Sequence, residues 1–445
     1  KDNVLNKIIS PFSTEFFRRK MKSALYLCLF LIGLQVHALP KPNHSNKHKE
    51  ERPHSLGDHS HAEHENLAHM KIAPSNAEFA FRFYKQVTEE GGNKNIFFSP
   101  LSLSTAFAML SLGARSNTLS QLHKCLTFNL TEIEEQEIHE GFQRLLQLLN
   151  DSHREIQLNM GNTLFIDERL KLQQKFLDDV TNFYYSEAVS VDFQNSEHAK
   201  EEINNYIKAK THGKFVDLLD SIGKDVVMIL TNYVYFKGYW EEPFKSYNTR
   251  EDDFFVDAEH SVKVKMMYKN AYYNIHRDEK LSCWVVEIPY KGNAAAFFVL
   301  PDEGSMNQVE DALLQDTVSN WSQSLEGRSI DLYLPKFSIS GSYDVKRLFL
   351  KMGVTDMFSN NADFSGVAKN TLLKVSRAIH KAELNVNENG TEAAAVTMVE
   401  MRVFSAMIDP PEIKFNRPFV MMIFDKSINS ILFMGKVVNP VAKED

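Results

Sequence analysis

The spacing of apolar residues divides the chain into a helix-rich first part and a strand-rich second part. Apolar residues recur at the helical period after a helix start signal at Pro74-Ser75-Asn76. The helices that this pattern predicts lie at residues 79–87, 101–112, 133–150, 172–185 and 198–209. Gly113 ends the second of them, as glycine often does after a helix.

Strand patterns become frequent after residue 225. Predicted strands lie at residues 96–98, 226–236, 262–267, 284–290, 294–300, 330–334, 419–424 and 431–438. The run 226–236 is apolar almost throughout, as in a central strand covered on both faces. The last two strands flank a short polar turn and predict a hairpin. Helices followed by antiparallel strands, without a repeat or an internal linker, favour the α+β class in one large domain.

The stretch 388–405 fits neither period. Gly390 breaks regular structure, the alanines that follow favour helix, and the residues after them favour strand. In an extended chain Glu392 and Glu400 would face one way. The opposite face would be small or β-branched, with Thr391, Ala393, Ala395, Thr397 and Val399. Such a segment could enter between existing strands at little steric cost, whereas an Ala-rich surface loop is the alternative.

Residues 21–38 have the pattern of a secretory signal peptide. Met21-Lys22 gives a charged start, residues 24–34 are apolar, and Val36-His37-Ala38 is a small-residue cleavage site. We therefore expect a secreted, extracellular protein. Residues 1–20 precede the signal without an initiating Met, so we expect them to lie outside the natural product.

Residues 39–72 are polar and rich in histidine, which predicts a disordered tail before a folded domain at residues 73–445. His59, His61 and His64 could chelate a metal weakly, but a solvated tail needs no metal, and we predict neither a metal site nor a cofactor.

Composition and charge exclude some classes of function. Of the 445 residues, 43% are hydrophobic and 24% are charged, which are ordinary globular values. The net charge of −8 gives no support for binding to nucleic-acid phosphates. No apolar run in the body of the chain reaches the roughly 20 residues of a membrane span. Cys125 and Cys283, outside the signal peptide, fit either two free thiols or one bridge.

Catalytic motifs are absent from the sequence, which argues against an enzyme. We find no G-x-S-x-G elbow, no H-E-x-x-H, no C-x-x-C and no P-loop. Asn-x-Ser/Thr acceptors for glycosylation occur at Asn43, Asn129, Asn150, Asn320 and Asn389. Asn129 and Asn150 fall where helical segments end. Asn389-Gly390 also suits a tight turn, so we expect Asn389 to be unmodified.

Seven motifs in order give the chain from about Pro74 to Pro440 a resemblance to the serpins, and within them to the plasma antitrypsin-like group. The motifs are NIFFSPLS (95–102), TNYVYFKGYW (231–240), LPKF (334–337), HKA (380–382), GTEAA (390–394), FNRPF (415–419) and FMGKVVNP (433–440). The resemblance implies an α+β fold of three mainly antiparallel sheets, about nine helices and an exposed reactive loop at about residues 388–410.

A function is also implied. In inhibitory serpins a serine protease attacks the loop and forms an acyl-enzyme, and the loop then inserts into the main sheet as a further strand. The hinge of this loop corresponds to Gly390, Thr391, Glu392, Ala393, Ala394 and Ala395. Its flexible glycine and small side chains, without proline, suit insertion and favour an inhibitor. A non-inhibitory hormone or small-ligand carrier of the same subgroup is the alternative.

The family spacing from Glu388 places the scissile bond between Phe404 and Ser405. An apolar primary pocket would accept Phe404, which predicts chymotrypsin-like targets such as chymotrypsin, cathepsin G or chymase. The loop beyond Ser405 is longer than in antitrypsin itself, however. A shifted register could present Arg402 to a trypsin-like enzyme or Met407 to an elastase.

Two supporting clusters follow from the resemblance. Ser99, Ser102, Asn232 and His380 match the shutter, a buried polar network that holds the central strands together. Trp240, Lys336 and Glu388 match the breach, where the loop first enters the sheet, and we expect a charge pair between Lys336 and Glu388.

Partners other than a protease are not predicted. Heparin binding would need a basic helix near residues 117–130, which holds only His123 and Lys124. We expect a monomer without nucleic-acid or membrane contacts.

Overall fold

The helices predicted from apolar periodicity all occur; the first begins well before its predicted start, and the ends of the other four differ from the prediction by at most two residues. The computed structural model describes residues 58–151, 153–369, 371–391 and 410–442, with side chains from residue 67 onward. The α-helices in these residues are α1 (Asp58–Gly91), α2 (Pro100–Ser111), α3 (Ser116–Cys125), α4 (Glu135–Leu149), α5 (Gln174–Tyr184), α6 (Ser196–Lys210), α7 (Met306–Asp311), α8 (Gln315–Ser324) and α9 (Val345–Lys351). None of these described helices is long and apolar enough to cross a membrane.

The first helix corrects the prediction of a disordered tail up to residue 72. It begins at Asp58 and continues through Pro74, whose missing N–H costs one helical hydrogen bond. Ala68 and Ile72 are buried at helical spacing, and both touch α4 at Gly141. They extend the apolar stripe of Phe79 to Val87 past the proline, which the polar composition of this segment concealed. Residues 39–57 lie outside the described residues.

Fifteen strands are described. They are β1 (Ile96–Phe98), β2 (Gln157–Asp167), β3 (Glu187–Val191), β4 (Met228–Tyr239), β5 (Arg250–Phe255), β6 (Ser261–Asp278), β7 (Cys283–Pro289), β8 (Ala294–Pro301), β9 (Glu326–Pro335), β10 (Phe337–Asp344), β11 (Arg377–Asn387), β12 (Gly390–Thr391), β13 (Glu412–Lys414), β14 (Phe419–Asp425) and β15 (Ser430–Val437). The predicted C-terminal hairpin is confirmed, since β14 pairs with β15 antiparallel.

Helices and mainly antiparallel strands confirm the α+β class, but the strands join into two hydrogen-bonded sheets instead of three. The nine-stranded sheet has the order β1-β15-β14-β8-β7-β6-β9-β13, with β5 also paired to β6. The 18-residue strand β6 pairs with β5, β9 and β7 along its length. The two smaller sheets of the expected fold are therefore continuous through this strand.

The second sheet has six strands in the order β10-β11-β12-β4-β2-β3. Strand β4, predicted as a central strand, is almost entirely buried. It runs parallel to β11, with seven residues from Arg377 to Glu383 opposite Ile229 to Tyr235. Beyond that segment the two-residue strand β12 lies between them and pairs antiparallel with both. We call this boundary between β4 and β11 the seam.

The two cysteines are free and buried, which resolves the alternatives left by the sequence in favour of separate thiols. Burial raises the pKa of both Cys125 and Cys283 to about 12, so neither thiol is ionised at neutral pH.

A buried ion pair fastens α1 and α7 to the nine-stranded sheet and generates a stability prediction. The Glu310 carboxylate accepts a hydrogen bond from Tyr84 at 2.8 Å and pairs with Lys436 at 3.0 Å. The Lys436 side chain is only 6% exposed. Glu310→Gln would leave this ammonium buried without a counter-charge, so we expect a loss of about 3 kcal/mol, read as a lower urea midpoint.

The control is Asp179→Asn, which removes an i,i+4 partner from the largely exposed Lys175. We expect a change below about 0.5 kcal/mol there. Equal effects of the two substitutions would contradict the prediction.

Candidate functional site

A buried hydrogen-bond network crosses the seam in the middle of the six-stranded sheet. His380 on β11 and Asn232 on β4 are direct Cα partners, and the His380 Nδ1 bonds to the Asn232 Oδ1. The His380 Nε2 lies 3.1 Å from the backbone N–H of Ser99, which can only donate. The imidazole is therefore neutral with its proton on Nδ1, and it uses both nitrogens. The network ties the two strands of the seam to each other and to the start of α2.

Helix α2 supplies the other end of this network. Its first residue is Pro100, and the Ser99 side chain caps it by accepting from the Ser102 N–H at 3.2 Å. The Ser102 Oγ in turn accepts from the Asn232 Nδ2 at 2.6 Å. All four residues predicted for the shutter are thus buried and brought together.

Two further residues of the network were not found by sequence reasoning. Asn162 on β2 accepts from the Asn232 Nδ2, so the network also includes a third strand of the sheet. Tyr343 stacks on the His380 ring and its hydroxyl accepts from the Phe97 N–H at 3.2 Å. Asn162 lies in the stretch 158–166, in which polar and apolar residues are mixed before three apolar residues, and no strand prediction covered this stretch.

The residues predicted for the breach meet at the end of the seam where β12 lies. Trp240 is buried, stacks on Tyr290 at a centroid distance of 4.3 Å, and donates from Nε1 to the Asn387 carbonyl at 3.0 Å. Its backbone N–H donates to the Asn389 carbonyl at 2.9 Å. Trp240 therefore holds the chain immediately before Gly390 against the end of β4.

The expected charge pair is present. The Glu388 carboxylate lies 3.0 Å from the Lys336 Nζ and accepts from the Thr249 hydroxyl at 3.0 Å. Burial raises the pKa of Glu388, but backbone hydrogen bonding, Lys336 and Thr249 together outweigh it and hold the pKa below its ordinary value. The carboxylate is therefore ionised at neutral pH. Thr249 was missed because nothing in its sequence context marks it.

The first two hinge residues, Gly390 and Thr391, form β12 between the strands of the seam. Gly390 has a φ of 137°, and a Cβ there would come within 2.2 Å of the Gly238 carbonyl oxygen, so only glycine fits. Thr391 is fully buried, and its hydroxyl lies 3.0 Å from that of Tyr290. This burial agrees with the parity of the sequence, which places Thr391 on the small-residue face.

The remaining loop positions lie outside the described residues. These are Glu392, Ala393, Ala394, Ala395 and the predicted scissile pair Phe404 and Ser405, together with the alternatives Arg402 and Met407.

Three glycosylation acceptors are exposed in the structure. Asn129 follows α3, Asn150 ends α4, and Asn320 lies on α8. Asn389 is half-buried beside Trp240, and Asn43 lies outside the described residues.

Helix α3 contains both basic residues of the region 117–130, and of these Lys124 is exposed and His123 is buried. Within the part of the chain whose side chains are described, no group of three His, Cys, Asp or Glu residues could hold a metal ion. The side chains of His59, His61 and His64 are outside that part.

Comparisons with known proteins agree with this geometry. A family model described as "Serpin (serine protease inhibitor)" matches residues 74–440. The chain is 46% identical to alpha-1-antitrypsin of Sus scrofa over 411 residues, which cover 92% of this chain and 94% of that protein. Alpha-1-antiproteinase 2 of Equus caballus is 47% identical, over 84% of this chain and 89% of the relative.

The chain belongs to the serpin family. Among solved structures, human thyroxine-binding globulin in complex with thyroxine superposes with a TM-score of 0.80 at 43% identity. Human glycosylated kallistatin gives 0.79 at 43% identity, and each match covers 84% of this chain and all of the other.

In this serpin the two strands of the seam are separated by β12 at one end and joined by hydrogen bonds between side chains in the middle. Gly390 and Thr391 already occupy its upper end, whereas His380 and Asn232 bridge its middle.

Two buried serines on α2 test the network. In Ser102→Ala the Asn232 amide loses an acceptor, so we expect a loss of about 1–2 kcal/mol. We also expect the variant to incorporate a synthetic peptide with the sequence of residues 391–403 faster than the wild type does, as measured by native gel electrophoresis. Ser104 bonds only to its own helix at Leu101 and provides the control. Ser104→Ala should change neither quantity, and equal peptide uptake by the two variants would count against the network.

A pH dependence follows from His380, whose pKa burial lowers to about 3. The unfolded chain takes up a proton near pH 6.5, whereas the folded state does not. Above pH 6.5 the buried neutral His380 therefore causes no pH-dependent loss of stability. As the pH drops from 6.5 toward 3, it lowers the free energy of unfolding, with a limiting slope of about 1.4 kcal/mol per pH unit.

His380→Gln should be less stable at pH 7.5 but lose less on going to pH 5, in urea unfolding at both pH values. Buried His69 and His123, whose pKa values burial also lowers, remain in both proteins, so only the difference between the two profiles is diagnostic. Parallel profiles would refute the assignment.

Proposed function

We propose that this serpin is a secreted inhibitor of serine proteases that traps its target as a suicide substrate. The protease cleaves after Phe404 and forms an acyl-enzyme with it. The loop then enters the seam as a strand between β4 and β11 and carries the protease with it.

The observation that carries the proposal is the position of β12. Gly390 and Thr391 pair antiparallel with both β11 and β4, at the point where those strands stop pairing with each other. A strand that continued from Thr391 would extend these two ladders. Thr391 is fully buried, and the next residues with the same parity, Ala393 and Ala395, have smaller side chains than Thr391.

The target class rests on the residue before the scissile bond. Phe404 favours chymotrypsin-like proteases, with elastase-like enzymes through Met407 and trypsin-like enzymes through Arg402 as the alternatives. The signal peptide at residues 21–38 and glycosylation at Asn43, Asn129, Asn150 and Asn320 belong to the same proposal of a secreted, monomeric glycoprotein.

A carrier of a small ligand is the second candidate, and the similarity to thyroxine-binding globulin in complex with thyroxine favours it. A carrier does not need the loop to enter the sheet. The intact hinge, with Gly390 and small residues on the inward face, favours the inhibitor.

Incubation with chymotrypsin separates the two candidates. We expect a covalent complex that survives SDS, with cleavage between Phe404 and Ser405 located by mass spectrometry. Thr391→Arg places a long charged side chain where Thr391 is fully buried, so this variant should be cleaved without forming the complex.

Phe404→Arg is the matched control, because it leaves the hinge intact and should redirect complex formation to trypsin. Plain cleavage of the wild-type protein by chymotrypsin, cathepsin G, trypsin and elastase, with no complex in any case, would exclude the inhibitor and leave the carrier.

A further inference from the structure

The chain enters the seam through a dipeptide that can modify itself chemically. Asn389-Gly390 is the only Asn-Gly pair among the 445 residues. An asparagine amide is chemically labile, and a following glycine hinders its reaction least, because no side chain keeps the next backbone nitrogen away from the amide carbon. Gly390 is also the first residue of β12, so a reaction at this pair would act directly on the end of the seam.

The Asn389 side chain is accessible, whereas its backbone is held in place. Asn389 is half-buried, although both residues of β12 are buried. Its N–H donates to the Asn387 Oδ1 at 3.0 Å, and its carbonyl accepts from the Trp240 N–H at 2.9 Å. Both of these hydrogen bonds involve the backbone of Asn389. Among the described residues none bonds to its side-chain amide, so no described contact fixes the rotamer of this amide.

The Gly390 nitrogen belongs to the ladder, so the reaction needs a local opening of β12. This strand has two residues, fewer than any other described strand, and it forms two residue pairs with each neighbour. Short segments at the end of a sheet open at a lower free energy than its core does. Gly390 has a φ of 137°, and glycine can exchange this conformation for many others without steric cost.

The reaction needs only water. Hydroxide removes the proton of the Gly390 N–H, and the nitrogen attacks the Asn389 Cγ and forms a C–N bond. The bond between Cγ and Nδ2 breaks, and Nδ2 leaves as ammonia after taking up a proton from water. Water then opens the resulting succinimide ring. Attack at Cγ gives aspartate, whereas attack at the former main-chain carbonyl carbon gives isoaspartate, whose main chain runs through Cβ and Cγ.

Each product would change how the chain enters the seam. Aspartate would place a second carboxylate next to Glu388, which already pairs with Lys336. Isoaspartate would lengthen the main chain by one carbon atom, and the carbonyl that accepts the Trp240 N–H would become a free carboxylate. Because Trp240 fixes the chain immediately before β12, the longer chain would shift Gly390 and Thr391 out of register with both neighbouring strands.

We propose that Asn389 deamidates spontaneously in the folded serpin, and that the isoaspartate product displaces β12 and impairs insertion of the loop. The effect on inhibition rests on the proposed function, whereas the modification and the displacement of β12 do not. The inhibitor then loses its capacity to trap proteases as it ages, at a rate that this dipeptide sets.

The first part of the test measures the modification in the folded full chain over time. We expect peptide mapping, with labelling by protein L-isoaspartyl methyltransferase, to show isoaspartate at position 389 accumulating several-fold faster than at Asn429. Asn429 is the internal control, because it is exposed in the turn between β14 and β15 but precedes Ser430 instead of a glycine. The rate should rise with pH, since the attacking nitrogen must lose its proton.

The second part compares fresh and aged protein, with Asn389→Gln as the matched variant because its longer side chain would have to close a larger, less favourable ring. Incorporation of the peptide with the sequence of residues 391–403 reports on β12 without any protease. Ageing should speed this incorporation in the wild type only. It should also lower, several-fold and again in the wild type only, the fraction of chymotrypsin cleavages that end in a covalent complex.

The outcomes separate this proposal from the proposed function. An unchanged Asn389 in the folded chain, under conditions that convert it in the urea-unfolded chain, would overturn the proposal. A glycan on Asn389 in the secreted protein, or conversion without faster peptide incorporation, would overturn it as well. Conversion with faster peptide incorporation, but no covalent complex even from fresh protein, would support deamidation and displacement of β12 and would reject the inhibitor instead.

Discussion

The hydrogen bond between His380 and Asn232 is the contact on which the candidate site depends, because it joins the two strands that a further strand would have to separate. Each partner is buried, and each also bonds to α2 or its cap, so opening the seam breaks several bonds together. An intact buried hydrogen bond contributes only about 1 kcal/mol, whereas a buried group left without a partner costs about 1–3 kcal/mol. The network therefore resists partial opening more strongly than it stabilises the closed sheet.

At the other end of the seam, the first two residues of the hinge are already placed between β4 and β11, which is where the proposed insertion would begin. Gly390 fits only because it has no side chain, and the Thr391 hydroxyl meets Tyr290 in the core. Glu388, held by Lys336 and Thr249, fixes the chain just before that point. The charge pair itself is partly exposed and weak, so its contribution is mainly to position the loop end. Gly390 and Thr391 thus lie between the two strands at one end of the seam, whereas the His380–Asn232 hydrogen bond joins the strands in its middle.

Sequence reasoning located most of this arrangement but not its connections. Ser99, Ser102, Asn232 and His380 were found through motifs, and the structure brings them into one network. Asn162 and Tyr343 were missed because their hydrogen-bond partners are 70 residues or more away in the chain, and pairing at that distance leaves no local pattern. The early start of α1 was missed for a different reason. Pro74 and the polar composition before it argued for a tail, but Ala68 and Ile72 bury enough surface against α4 to continue the helix.

Under the proposed insertion, the pairing of β4 with β11 requires small side chains after Thr391. Seven residue pairs hold these strands together in parallel, and an inserted antiparallel strand would replace that one ladder with two. The gain in backbone hydrogen bonds favours insertion, but each inward side chain must enter the layer where His380 and Asn232 already contact α2, whose residues are all buried. Close-packed interiors accept extra volume only at a cost of about 1–3 kcal/mol per overpacked site. Alanine and threonine at alternate positions keep that cost low, so the composition of residues 391–397 and the packing beneath the seam form a single constraint.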